Sequence, residues 1–247
     1  RSRGLGDVYK RQAPEWIMAK QLDNAYNWDA FHVNCTAGST LILNSSANEK
    51  WTSLNNGESL EGWIQRGGKA KYSVEDECIV GRTVPKTPNS FLCTEKQYGD
   101  FILEYEFKVD PRLNSGVQIR SQTKESGRVF GYQVEIDPDT KRNRIWTGGI
   151  YDEARRGWLY PLTRNKKGQD AFVNGTWNAY RIEAIGSKII TYVNGIQTSN
   201  LVDEATSEGF IAIQVHRISN PKDEGKKVKW RNIRQRYSRI GRKDIFN

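Results

Sequence analysis

The stretch Gln97–Ser121, QYGDFILEYEFKVDPRLNSGVQIRS, decides how this chain folds. Within it, Phe101–Val109 alternates strictly: Leu103, Tyr105, Phe107 and Val109 are apolar, while Glu104, Glu106 and Lys108 fall between them. Successive side chains of a strand point to opposite faces, so this period of two describes a strand with one buried face and one wet face. Asp110 to Asn114, with its proline and asparagine, ends the run, and a second β-rich run begins at Ser115.

Working outward, short runs of β-branched and aromatic residues recur from Trp51 onward between clusters of Gly, Asn, Asp and Pro, and no helical period is sustained. The pattern predicts strands at 72–80, 90–93, 101–109, 115–121, 132–136, 177–185, 188–193, 209–215 and 228–234. Asn194-Gly195 and Gly186-Ser187 supply the positive φ that tight hairpins need. An all-β, two-sheet antiparallel sandwich of jelly-roll type follows. Tyr151 to Asn174 lacks clear alternation and is expected to be a long functional loop.

The chain has 247 residues and is 36% hydrophobic and 27% charged, enough apolar material for a real core. Its net charge of +9 raises the question of nucleic acid, but the charge sits at the ends. Residues 1–12 carry +3 and residues 222–247 carry +7, which leaves the middle at −1. A nucleic-acid surface would spread Lys and Arg among aromatics across the fold, so that partner is not expected. No apolar run approaches the length of a membrane span.

Residues 1–12 read as a non-native, adapter-derived segment. Residues 13–50 form an unassigned extension, with Thr40–Leu43 its clearest strand signal. The sandwich is expected over 51–236 and a basic tail over 237–247. Cys35, Cys78 and Cys93 lack zinc spacing and read as buried thiols, with a Cys78–Cys93 disulfide as the minor alternative. No HExxH or EF-hand pattern is present, and no metal or cofactor is expected.

Four strands share polar residues spaced by two: Glu104 with Glu106; Gln118 with Arg120; Gln133 with Glu135; and Gln214 with His216. A solvated sheet face would also alternate, but it favours Lys, Glu and Thr. Gln, Arg, Glu and His instead make a set able to grip hydroxyls and move a proton. Trp146, Tyr151, Trp158 and Trp177 offer rings for stacking on a sugar face.

The blocks LNNGESLEGW, YSVEDECIVG, the long stretch from Pro88 to Ser121, GYQVEID, GGIYDEARRGWLYP, WNAYRIEAIG, TYVNGIQ, GFIAIQVH and WRNIR resemble, in this order, the 3-keto-disaccharide hydrolase family over about Trp51 to Arg234. The resemblance implies a concanavalin A-like jelly roll acting on glycosides whose C3 hydroxyl has been oxidised to a ketone. It implies a carbohydrate partner, and a periplasmic or secreted location in bacteria. The common form has Phe at the position of Asn55 and Gly at that of Glu77. Many relatives place Glu before Gln where this chain has Gln133 and Glu135, which leaves open which of the two serves as acid or base.

The chemistry so implied is removal of the C2 hydrogen, elimination at C1 and addition of water. His216 or Glu135 is the expected base, with Arg120 polarising the ketone. Gln118, Gln133 and Gln214 would orient hydroxyls, and Glu104, Trp146, Tyr151 and Trp158 complete the expected substrate-binding set. A carbohydrate-binding module of the same fold is the competing expectation. Oligomeric state, aglycone and linkage are open at this level.

Overall fold

The computed structural model describes residues 50–111, 113–138 and 145–237, together with the backbone of 16–20 and 28–32. The adapter-like segment, Cys35, Thr40–Leu43 and the tail beyond Tyr237 lie outside these residues. Two compact units are present, 1–48 and 49–247. In the first, β1 (Trp16–Lys20) and β2 (Trp28–His32) pair antiparallel, Trp16 opposite His32.

The second unit is the sandwich, and its strands run in chain order. They are β3 (Thr52–Ser53), β4 (Trp63–Gly67), β5 (Lys71–Glu75), β6 (Cys78–Arg82), β7 (Ser90–Tyr98), β8 (Phe101–Val109), β9 (Ser115–Thr123), β10 (Val129–Ile136), β11 (Ile150–Glu153), β12 (Gly157–Tyr160), β13 (Asn178–Ile185), β14 (Lys188–Val193), β15 (Ile196–Val202), β16 (Gly209–Val215) and β17 (Lys227–Tyr237), with a short helix α1 (Lys166–Asp170). One sheet has the order β12-β11-β10-β9-β16-β7-β4. The other has β15-β14-β13-β8-β17-β6-β5, with β3 added on β17. Every named ladder is antiparallel. This is the expected two-sheet jelly roll.

The apolar halves of the alternating strands meet between the sheets. Leu103, Tyr105, Phe107 and Val109 of β8 and Tyr180, Ile182 and Ala184 of β13 pack in one cluster with Val117, Ile119, Tyr132, Val134, Ile211 and Ile213 of the facing sheet. Trp230 of β17 is fully buried there. Gly81 is required beside it, because a Cβ would stand 2.4 Å from Val215 Cγ2 and 3.1 Å from the Trp230 ring.

Several expectations need correction. The run 72–80 is two strands, since Asp76 and Glu77 take positive φ (50° and 61°) and turn the chain between β5 and β6. Tyr151–Asn174 is not a long loop: it holds the end of β11, all of β12 and α1. The DEARRGW run closes the β11–β12 hairpin, with buried Asp152 accepting from Arg155 and Arg156. The expected last strand, 228–234, is present within β17, which sits between β8 and β6 inside its sheet. Cys78 and Cys93 are buried free thiols, as expected, and the minor disulfide alternative is not formed. Among the described residues no helix is long and apolar enough to cross a membrane.

Truncating Trp230 to Ala should cost about 3–5 kcal/mol, the usual range for a fully buried large aromatic. The check is the shift of the urea unfolding midpoint at unchanged slope; a loss under about 1 kcal/mol would mean the layer between the sheets is not the main source of stability.

Candidate functional site

The face of the seven-stranded sheet that points away from the core carries the polar residues. Register places Gln133 opposite Gln118 and Glu135 opposite Gly116, while Gln214 also lies opposite Gly116 from the other side. Tyr151 of β11 faces Gln133. The polar residues of three separate stretches of sequence thus become neighbours through pairing alone.

Their amides bond to one another. Gln118 Nε2 donates to Gln133 Oε1 at 2.7 Å, and Gln214 Nε2 donates to the same oxygen at 2.9 Å. Gln133 Nε2 donates to Glu135 Oε2 at 2.7 Å, and Asn114 Nδ2 donates to Glu135 Oε1 at 2.8 Å. Gly116 makes this packing possible, since a Cβ there would stand 2.7 Å from Gln133 Cγ. The main chain of Glu135 is equally fixed: Tyr180 Oη donates to its carbonyl at 2.5 Å, and its N–H donates to Gly149 O. The 146–149 turn is held in its turn by Thr191, Thr198 and Ser199, whose hydroxyls all reach Gly148 O.

A cleft of about 760 Å³ opens over this face, within the range of small-molecule sites. Gln133, Glu135, Asp137, Tyr151, Glu153, Trp158, His216, Arg128, Arg217 and Asn114 line it together with Phe91 and Val129. Burial pushes the Glu135 carboxyl up to about 8, the nearby Asp137 and Glu153 charges adding to the effect against the Asn114 and Gln133 hydrogen bonds. Burial also raises Glu153, opposed by Arg128 3.6 Å away. His216 is half-buried and its pKa is lowered, chiefly by desolvation. Its Nδ1 lies 2.7 Å from Arg217 O. A carbonyl only accepts, so Nδ1 carries the hydrogen and neutral His216 keeps a lone pair on Nε2.

Not every expected residue joins the cleft. Arg120 takes φ 47° at an irregularity in the ladder, which swings its side chain out of the alternation. Its guanidinium, 1% exposed, binds Gly99 O, Gly186 O and Asp100, so it ties loops together and polarises nothing in the cleft. Glu104 stands on the outer face of the other sheet, paired with Arg181 and Arg234. Alternation assigns a face but not a sheet, which is why Glu104 looked equivalent. Gln118 and Gln214 belong to the polar face but are fully buried beneath it and do not line the cleft. Trp146 meets the Trp158 ring edge-on at 4.6 Å, Trp158 meets Tyr151 at 5.3 Å, and only the latter two line the cleft. Trp177 lies under Arg231, 4.1 Å from its ring.

Asn114, Asp137, Glu153, Arg128 and Arg217 are additions. Asp137 and Glu153 were legible as continuations of the spacing by two, after Glu135 and Tyr151 respectively. Asn114 sits in a turn and carries no sequence signal.

A jelly roll with acid–base groups and aromatic rings lining a cleft on one sheet is the architecture of carbohydrate-active β-sandwich proteins. Residues 50–236 match the 3-keto-alpha-glucoside-1,2-lyase-like domain, and the chain belongs to that family. No curated protein matches the chain. Among solved structures, a candidate glycosyl hydrolase from Parabacteroides distasonis is similar at 18% identity and TM-score 0.56, covering 80% of this chain and 98% of that one. A Bacillus subtilis protein with a galectin-like fold is similar at 10% identity and TM-score 0.56, covering 76% and 94%. At these identities the likeness is one of fold.

Because Glu135 is pushed up in the native state relative to the unfolded chain, the native protein holds a proton that the unfolded chain releases. Its contribution to stability is therefore fully present below the ordinary carboxylate range and is lost as pH rises towards about 8. Glu135→Gln should gain stability relative to the parent across that window and run parallel to it above, as measured by urea unfolding at a series of pH values. A difference independent of pH would place the Glu135 carboxyl in the ordinary range.

Proposed function

We propose that this protein cleaves 3-keto-glycosides by elimination and hydration. The C3 ketone acidifies the C2 hydrogen, and neutral His216 Nε2 takes that proton. The electron pair passes into the enolate and then expels the C1 oxygen, forming the C1–C2 double bond. Glu135, still protonated at neutral pH, supplies a proton to the departing oxygen. Water then adds at C1 while a proton returns to C2, so the net change is hydrolysis. Arg128 and Arg217, in place of Arg120, bring positive charge to the cleft for the enolate oxygen, and Tyr151 and Trp158 offer rings to the sugar.

One observation carries this reading: a histidine held towards its neutral form and a carboxyl group held towards its protonated form line the same cleft. Each is in the state that an acid–base pair needs near neutral pH. Ordinary glycosidases instead use two carboxyl groups, one of them ionised.

Incubation with a 3-keto-disaccharide and with its unoxidised parent should release free sugar from the keto compound alone. The profile of kcat/KM should rise as His216 loses its proton, below the ordinary histidine value, and fall above about 8 as Glu135 ionises. His216→Ala should lose turnover by about 10²–10⁴-fold with folding intact. Saturable binding without release from either compound would make the protein a carbohydrate-binding module and end the mechanism.

A further inference from the structure

Gln118 is completely buried, makes no part of the cleft wall and has no step in the reaction above. Buried amides cost free energy unless their bonds are made, so its retention there needs a reason. Along the line from Ser121 to Glu135 the donors point one way, while Gln133 Nε2 also makes a long 3.5 Å bond back to Gln214 Oε1. Ser121 Oγ donates to Gln118 Oε1 at 2.6 Å, Gln118 Nε2 to Gln133 Oε1 at 2.7 Å, and Gln133 Nε2 to Glu135 Oε2 at 2.7 Å. Gln214 Nε2 donates into the same Gln133 oxygen at 2.9 Å. Turning Gln133 over would set its N–H groups against two others and its oxygen against the Glu135 carboxylate.

We propose that Ser121, Gln118 and Gln133 form a one-way hydrogen-bond relay that sets the protonation of Glu135, with Ser121 as a positioning residue outside the cleft. Each proton donated into an amide oxygen polarises that amide and makes its N–H a stronger donor to the next group. The strengthened bond at the end of the chain favours the ionised carboxylate. The relay thus opposes the burial that raises Glu135, keeping its carboxyl within reach of neutral pH.

The fold is built around the far end of this chain. The irregularity that turns Arg120 away also brings Ser121 to the side of Gln118. Opposite it, a Cβ on Gly131 would stand 2.6 Å from Ser121 Oγ, and one on Gly209 2.3 Å from Ser121 O. Gly131 therefore leaves room for the hydroxyl, and Gly209 for the main chain that carries it.

Glu135 also feels Asp137 beyond its own strand and Tyr151 and Glu153 on β11, and His216, Arg128 and Arg217 line the same cleft; β13 adds the Tyr180 hydroxyl on its carbonyl, and β9 places Gly116 opposite it. These groups are the same in every variant, so differences between variants isolate the relay.

The test is a carboxyl ¹³C NMR titration of the full-length protein with labelled glutamate, the Glu135 signal being identified by its loss in Glu135→Gln. Ser121→Ala should raise the Glu135 midpoint by about half a pH unit and Gln118→Met by about one, while Ser121→Cys, a weaker donor, should fall between parent and Ser121→Ala. The falling limb of kcat/KM should move by the same amounts. An unmoved midpoint in folded Ser121→Ala or Gln118→Met overturns the proposal, as does an equal shift of the Glu153 signal, which would mark a general structural effect. The NMR readout does not depend on turnover. Shifted midpoints in a protein inactive on 3-keto-glycosides would retain the relay and end the proposed reaction.

Discussion

Burying a carboxyl group on a sheet face requires that its neighbours leave nothing unpaired, and this constraint organises the site. Glu135 meets it through Gln133 and Asn114 on its two oxygens and through Tyr180 and Gly149 on its main chain. Gln133 in turn has its oxygen filled by two N–H groups and its nitrogen directed at Glu135. A half-satisfied network of this kind would cost more than an apolar layer in the same place. That is why a glycine must lie under Gln133, and why small or polar residues recur wherever the network closes.

The apolar layer between the sheets makes that arrangement rigid. Val134 and Ile136 alternate with Gln133 and Glu135 on β10, so the strand that presents the carboxyl group is anchored by residues with no exposure at all. On β16 the buried Ile213 and Val215 likewise anchor the strand that leads to His216. The facing sheet also reaches the site directly, because hydroxyl groups of β14 and β15 hold the 146–149 turn against Glu135. Core packing and site geometry are therefore one problem: movement of either sheet would loosen the hydrogen bonds that keep the carboxyl group in place.

Much of this was open to reading from the chain alone. Strict alternation in β8 and in β10 follows from burying one face of a strand, and it identified the all-β class and a polar set in which Gln118, Gln133, Glu135, Gln214 and His216 stood together with Glu104, Glu106 and Arg120. Extending the same spacing reaches Asp137 and Glu153. The Asn194-Gly195 turn was equally plain, because positive φ at both positions is a local demand. Such features depend on neighbours in sequence, so the sequence states them.

The rest depended on groups distant in sequence. Glu104 shares the alternation but belongs to the opposite sheet, and nothing local distinguishes one sheet from the other. Arg120 sits two residues from Gln118, yet a single left-handed residue at a ladder irregularity sends its guanidinium to Gly99, Asp100 and Gly186. The protonation of Glu135 comes from burial beneath residues of other strands, and the role of each glutamine comes from which amide lies beside it. Composition and spacing determined the sandwich and the chemistry carried on one face. Only tertiary structure decided which of those groups meet, because desolvation and hydrogen bonding act across strands that the chain order keeps far apart.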